Sequence, residues 1–419
     1  MSNKTHTKPK LFFVAALLFS LWWIYSAPPP HIRIAPALRF DPATTQVIAA
    51  VDRTADFVAE FEHLPSALPG HDDVVFMADG VTALASAVDG RIWRIDLRTQ
   101  TAEPFADPPL MAAGMHEAPG DPERIYFCAS RFFGQTSGAD ERVGLYSLNV
   151  KTRAITPVVL EVPATGIGAP VVYADEDARA PELRPGRTTA SRPLAFCNDL
   201  EISEDGRRIY FTEPFSYAGA AMGGGTALEA VSLGGNGRIW RHDLDSGATR
   251  LVVEGFHFPD GILYDLHPGE ARESSLIVSQ TPMFRLTRFF LSGPKAGTAQ
   301  TVIDGLTGMP DGLDRDRENR IWTGLLKQRS GLLTWLHSNA WIKPLFLRLP
   351  LHRVPQPHWT GVLGLSPDGA TPLYFASYTG PQFSDIASVI HGPDGLYLTP
   401  IKTTQPGLVR LPYPNSLEK

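Results

Sequence analysis

Cysteine is almost missing from this chain: Cys128 and Cys197 are the only two in 419 residues. That is too few for a disulfide scaffold or a thiolate metal centre, and one disulfide or two free thiols fit the count equally. An excess of positive charge is missing as well. Lys and Arg number 38 against 44 Asp and Glu, a formal net charge of −6. No basic stripe of the kind a general nucleic-acid binder carries is present. Disordered composition is absent, because hydrophobic residues are 43% and charged ones 20% of the chain, ample for a core. Beyond residue 47 no long stretch has helical periodicity, which leaves the all-β classes.

Long apolar runs are also lacking, with one exception. Residues 11–27 carry no charge, and a run of that length is at the short end of what spans a bilayer. Lys4, Lys8 and Lys10 precede it, and Trp22, Trp23 and Tyr25 stand where an interfacial aromatic belt lies. A cleaved signal peptide is the competing reading. Bulky Tyr25 and the run Pro28-Pro29-Pro30 make a poor cleavage site after Ala27. The pattern therefore predicts a cytoplasmic tail over 1–10, an uncleaved single-pass transmembrane helix over 11–27 and a Pro-rich linker over 28–46. The globular part, 47–415, then lies on the non-cytoplasmic side. The sequon Asn3-Lys4-Thr5 falls on the side where it is not used.

What the rest of the chain does have is short β-branched and aromatic runs punctuated by Gly, Asp and Pro. Two segments nearly repeat: Asp89-Gly-Arg-Ile-Trp-Arg-Ile-Asp-Leu97 and Asn236-Gly-Arg-Ile-Trp-Arg-His-Asp-Leu244. Looser relatives are Gly144–Asn149 and Gly407–Pro412. Each reads as the third strand of a blade, followed by a turn such as Asp245-Ser246-Gly247 and a fourth strand such as Thr249–Val253. Repeats at this spacing predict a six-bladed β-propeller, with blades at 70–108, 112–162, 195–254, 258–304, 309–375 and 386–413. The segment 47–62 is left to close the ring as an outer strand of the last blade. Residues 163–194 form a long insertion between blades two and three, of the kind that shapes a channel mouth. The segment 327–347, with Trp335, His337, Trp341 and Phe346, reads as core packing or as a short amphipathic helix on a membrane or over the site.

Four short turns offer an oxygen-bearing side chain: Gly70-His71-Asp72-Asp73, Cys197-Asn198-Asp199, Pro259-Asp260-Gly261 and Pro310-Asp311-Gly312, each ahead of an apolar strand. Asp and Asn make turns by bonding their own backbone, and for any one of the four that is sufficient reason for its presence. Four in register on a ring of sheets aim Asp72, Asn198, Asp260 and Asp311 at a shared axis. Hard oxygen donors with few His or Cys suit Ca2+.

Between Phe258 and Arg329 the chain resembles a known family. Phe258-Pro-Asp-Gly-Ile262, Leu291-Ser-Gly-Pro-Lys-Ala-Gly297, Thr301-Val-Ile-Asp-Gly-Leu306, Gly308-Met-Pro-Asp-Gly312 and Ile321-Trp-Thr-Gly324 are similar to segments of the strictosidine synthase-like proteins. That family takes in the adipocyte plasma membrane-associated proteins, which also have an N-terminal anchor. The resemblance is strong over 195–330 and fainter over the first and last blades. It implies a six-bladed propeller shared with paraoxonases, regucalcin-type gluconolactonases and diisopropyl-fluorophosphatases, and a calcium ion on the axis. By motif, Asp72 stands where those enzymes carry Glu and Asp260 where Asn is usual; Asn198 and Asp311 match. Asp73 and Asp199 correspond to acids around a structural calcium. Two departures stand out. The His-Gly motif of the paraoxonases is replaced by Ala113-Gly114-Met115-His116, and the last-blade Glu of strictosidine synthase by Ile386-Ala387-Ser388-Val389.

The reading that follows is a calcium-dependent hydrolase of esters or lactones, arylesterase- or lactonase-like, acting on a small molecule. Its metal ligands are Asp72, Asn198, Asp260 and Asp311, and its candidates for the base are Asp311, His257 and His116. Glu213 is a further channel-lining candidate or a turn cap. The alternatives are an exported propeller that binds without catalysis and a condensing enzyme of strictosidine synthase type, which the missing last-blade acid disfavours. Beyond the substrate and the membrane no partner is indicated, neither nucleic acid nor protein.

Overall fold

Strand runs of three to ten residues, broken by Asp-Gly and Pro turns, leave each sheet with two apolar faces that only neighbouring sheets can cover. The computed structural model, which describes residues 7–25, 32–40, 42–132, 141–164, 171, 190–217, 222–265, 274–349, 358–414 and 417, meets that demand with six four-stranded antiparallel sheets. The first blade holds His71–Phe76, Thr82–Ala87, Ile92–Asp96 and Thr101–Ala106. The second holds Met111–Ala118, Asp121–Ser130, Gly144–Asn149 and Ile155–Val159. Leu200–Ile202 to Ala248–Phe256 make the third, Pro259–Tyr264 to Ala299–Ile303 the fourth, and Gly308–Arg315 to Pro372–Tyr378 the fifth. The sixth runs Phe383–His391, Leu396–Thr403 and Gly407–Leu411 outward from the axis. Each innermost strand touches the innermost strand of the next blade, and Phe383–His391 returns to His71–Phe76. The ring is closed, and the six expected blades agree with it to within a few residues.

The closing strand is Glu62–Pro65, paired antiparallel with Gly407–Leu411 so that Glu62 faces Arg410. It lies just beyond the expected 47–62. That segment is instead mostly helical, over Pro42–Ala50 and Thr54–Glu60, and packs on the outer strand Pro372–Tyr378. The two near-repeats are third strands, as read. Only in blade one does the run after the donor turn, Val74–Phe76, belong to the innermost strand; Arg208–Thr212, Leu276–Val278 and Arg320–Thr323 lie on second strands.

Antiparallel order puts the starts of innermost strands and the links between second and third strands at one end of the ring. That end carries the insertions: the helix Met222–Ser232 in blade three, the 3-10 turn Thr281–Met283 in blade four, and Gly331–Ser338 with Lys343–Phe346 in blade five. The segment 327–347 is therefore helical, with His337 and Lys343 buried and Trp335 and Trp341 exposed. Residues 32–40, read as a spacer, run over these helices: Ala35 N–H donates to Ser232 O and Leu38 N–H to His337 O. The insertion between blades two and three is pinned at its base by Glu161–Pro163 pairing with Ser191–Pro193; most of 163–194, and the sequon at Asn3, lie outside the described residues. The N-terminal apolar run is helical over Thr7–Tyr25. Among the described residues no helix is long and apolar enough to cross a membrane.

Candidate functional site

The innermost strands share an irregularity. Their pairing register breaks between His71 and Asp73, Ala112 and Met115, Pro259 and Ile262, Pro310 and Leu313, and Ile386 and Val389. A bulge turns a side chain out of the strict in-and-out alternation of a strand. The residues at these breaks are Asp72, Ala113-Gly114, Asp260-Gly261, Asp311-Gly312 and Ala387-Ser388. In blade three the equivalent place is taken by Asn198, just ahead of the short strand Leu200–Ile202. The glycines after Asp260 and Asp311 are there for contact between blades. A Cβ on Gly261 would stand 2.5 Å from the Asp311 carbonyl oxygen, and one on Gly312 would collide with Ser388.

Hydroxyls from the second strands hold the donor turns and the last-blade bulge, a feature the sequence reading missed. Ser86 Oγ accepts from Asp73 N–H at 2.9 Å, and Ser130 Oγ from Cys197 N–H at 2.8 Å. Thr212 Oγ1 accepts from Asp199 N–H at 3.1 Å and donates to the Asp260 carbonyl at 3.0 Å. Ser279 Oγ accepts from Gly261 N–H and donates to the Asp311 carbonyl. Thr323 and Thr399 serve Asp311 and Ser388 in the same way. One Ser or Thr recurring on the second strand of every repeat was the available signal.

Asp72, Asn198, Asp260 and Asp311 line one cavity of about 280 Å³, together with Asp73, Gly114, His116, Asp199 and Ser388. Its walls continue along Val74–Phe76, Leu313–Arg315 and Ile390–His391, so it runs from the quartet down the channel toward the end opposite the helices. Asn198, Asp260 and Asp311 are buried. Asn198 donates its amide to Asp260, and Thr281 Oγ1 donates to the other Asp260 oxygen at 3.0 Å. Burial and the Asp260 charge push the Asp72 and Asp311 carboxyls well above their ordinary range, with further repulsion of Asp311 by Asp72. Burial raises Asp260 too. Asp73 is pushed up to about 7 by burial, although Met115 and Val74 N–H groups donate to it.

The remaining candidates separate. His116 lines the cavity, and burial pushes its imidazole down to about 4. His257 is outside the lining. It bonds the Leu233 carbonyl, and burial with Arg285 beside it lowers it to about 3. Glu213 is structural: fully buried, it accepts both arms of Arg192 at 2.7 Å, the Trp240 indole at 3.0 Å and the Ala195 N–H at 3.1 Å. Cys128 and Cys197 form a disulfide. Among the described residues no three His, Cys, Asp or Glu side chains already stand at metal-centre spacing. The chemistry of the quartet nevertheless fits a hard cation. Three carboxylates and an amide crowd one wall, Asp260 contacts both Asn198 and Asp311, and no cationic side chain among the described residues pairs with any of the four.

No protein-family model matches the chain. The adipocyte plasma membrane-associated protein of Salmo salar is 30% identical over 221 residues, 51% of this chain and 51% of its own length. Strictosidine synthase-like protein 13 of Arabidopsis thaliana is 32% identical over 160 residues, 38% of this chain and 37% of its own. The chain thus spans about half the length, or less, of the curated relatives it matches. Among solved structures, a Xanthomonas campestris gluconolactonase superposes with a TM-score of 0.51 at 16% identity, covering 93% of this chain and 98% of its own. A luciferin-regenerating enzyme gives 0.50 at 10% identity, covering 85% and 95%. The chain is thus a six-bladed propeller of gluconolactonase-type fold whose sequence relatives bear the adipocyte plasma membrane-associated and strictosidine synthase-like names.

Proposed function

We propose that this protein is a calcium-dependent hydrolase of esters or lactones, with Asp72, Asn198, Asp260 and Asp311 as the metal ligands. One observation carries the reading: four oxygen donors from four different blades line a single cavity, and the repulsion among the three carboxylates is what a divalent cation relieves. Held there, Ca2+ supplies a Lewis acid for an acyl oxygen and for the charge that develops on it. Thr281 and the second-strand hydroxyls fix the donors so that little reorganisation accompanies the reaction. His116, neutral at physiological pH and in the cavity wall, accepts the proton of the attacking water. Asp311 is the second candidate for that role. The last blade offers Ala387 and Ser388 at the bulge and no acid there, which disfavours amine–aldehyde condensation.

The helix Thr7–Tyr25 is proposed as the membrane anchor, with its lysines on the cytoplasmic side and the propeller outside. Its exposed Phe13, Leu17, Leu18, Phe19 and Trp22 support this, and so do relatives named as plasma membrane-associated. The Cys128–Cys197 disulfide belongs to an oxidising compartment. The deciding experiment presents the purified chain with a panel of lactones and aryl esters, with and without chelator. Turnover that survives the chelator sinks the metal mechanism; tight calcium binding with no turnover across the panel leaves a binding module. Alkaline carbonate extraction that released the chain would remove the anchor.

A further inference from the structure

Asn198 has the shortest innermost strand beside it of the four donors. Asp72, Asp260 and Asp311 lie within innermost strands of six to eight residues, with ladder bonds on both sides. Asn198 precedes an innermost strand of three residues. It also follows closely on the long 163–194 insertion, whose returning strand ends at Pro193.

Within its own blade the backbone here pairs with Thr212, Asn198 N–H donating to Thr212 O at 3.1 Å and Thr212 N–H to Asp199 O at 2.9 Å. Three contacts from blade two add to this short stretch of ladder. Ser130 Oγ accepts from Cys197 N–H at 2.8 Å and donates to Cys197 O at 2.6 Å. Gly114 N–H donates to the Asn198 carbonyl at 2.8 Å. The disulfide ties Cys197, the residue before Asn198, to Cys128 on the second strand of blade two. Cys128 Sγ also lies 3.8 Å from the carbonyl oxygen of Asp199, the residue after. The covalent link therefore brackets the donor from both sides and joins the two blades at the height of the quartet.

We propose that the Cys128–Cys197 disulfide is the positioning element for Asn198, so that the cation affinity of the axial site depends on the redox state of this one bond. The inference rests on the reading that the quartet holds a cation. Opening the bond with a dithiol delivers two electrons and two protons; the cystine becomes two thiols and the reagent closes to its own disulfide. The propeller keeps its sheets, because the bond is not part of the ladder, while Asn198 is left to hydrogen bonds alone. Groups that orient a metal ligand from behind typically change affinity about 10–100-fold.

The test is calcium titration by calorimetry on the full chain in four forms: wild type, Cys128→Ala/Cys197→Ala, Asn198→Ala, and the three changes together. The expected result is a Kd about 10–100-fold weaker in the disulfide-free form, with an unchanged far-ultraviolet spectrum. Combined with Asn198→Ala, the cysteine changes should have no further effect, since the bond acts through that residue. Equal affinity with and without the bond overturns the inference. So does an added loss in the Asn198→Ala background, which would show the bond acting on the ring as a whole. Should the double variant fail to fold, wild type titrated before and after mild dithiol treatment reads the same quantity, and an unchanged Kd is equally decisive. If the oxidised wild type binds no calcium at all, the hydrolase reading itself falls, a different failure from the two above.

Discussion

Blades one and three carry nearly the same third strand, and the two copies have very different surroundings. In blade one, Trp93 hands its indole N–H to Asp89, four residues back and exposed, and Arg91 pairs with the same carboxylate at the surface. In blade three, Trp240 is fully buried, its indole bonds Glu213, and the Arg192 guanidinium lies 5.7 Å over its ring. Arg238, the counterpart of Arg91, is buried against Glu254. Asn236, the counterpart of Asp89, is buried and bonds Tyr217 and Glu229. The strand did not cause this difference. In blade one a tight Asp89-Gly90 turn leads into it; in blade three the link contains the helix Met222–Ser232. An insertion at one end of a blade converts a self-sufficient surface strand into a buried polar network.

The largest effect should follow from cutting that network. Glu213→Ala leaves the Arg192 charge, the Trp240 indole and the Ala195 N–H without their acceptor, and should lower stability by about 3–5 kcal/mol. Asp89→Ala should cost less than about 1 kcal/mol. Denaturant unfolding reads both, and equal losses would erase the distinction between the blades. Calcium should come next. Both blades supply a donor, so wild type at a hundredfold excess over Kd should gain about 2.7 kcal/mol; Asp72→Ala should abolish the gain, and Asn198→Ala, which keeps all three carboxylates, should only reduce it. In chelator the two should diverge, since Asp72→Ala removes like-charge repulsion and should raise Tm whereas Asn198→Ala should not. Identical shifts in chelator would show that the acids do not repel one another.

A smaller difference is expected at the indoles. Trp240→Phe leaves Glu213 short of one buried partner and should cost about 1–3 kcal/mol. Trp93→Phe, whose partner faces water, should cost less by the same unfolding measurement. The smallest effect concerns the third position past each donor, where blade one has Val75, blade three Glu201 and blade five Asp314. Burial pushes Glu201 up to about 8 and Asp314 to about 7. Between pH 8 and about 6.5 the unfolded carboxylates are already ionised while the folded ones take up protons. The metal-free protein should therefore gain stability as pH falls through this window, by at most about 1.4 kcal/mol per pH unit per group. Glu201→Gln should flatten the slope and Val75→Ala should not; a slope unaffected by Glu201→Gln would remove that residue from the account.

Much of the architecture was legible because repeats advertise themselves. The pair at 89–97 and 236–244 gave the blade period, and the spacing of strand runs gave the blade edges. The donors were legible because Asp and Asn stand out before apolar runs, although the reason for the following glycines was misjudged: Gly261 and Gly312 admit the neighbouring blade and do not merely turn the chain. The holding hydroxyls were not legible, since Ser86, Thr212 or Thr323 in a β-run looks like any strand residue. The helix Met222–Ser232 was hidden by Gly223, Gly224 and Gly225, which weaken any helical signal. That His257 lies outside the cavity lining was out of reach too, because three residues of sequence before Asp260 do not say which way an imidazole turns.

The pairing of Glu62–Pro65 with Gly407–Leu411 has a consequence for the life of the chain before it is whole. Glu62 and Arg410, bonded across this seam, are 348 residues apart in sequence. All four donors leave the ribosome before the strand that locks the sixth blade, so the nascent chain holds a row of acids on an open, unlatched arc. Contacts of such long separation form late and slowly, and partly assembled arcs with unpaired edges invite association. If the quartet holds a cation as proposed, its capture becomes a checkpoint on completion: only a chain that has reached its last strand and latched it would hold the ion, and a truncation by a dozen C-terminal residues should be as damaging to the axial site as the loss of a donor.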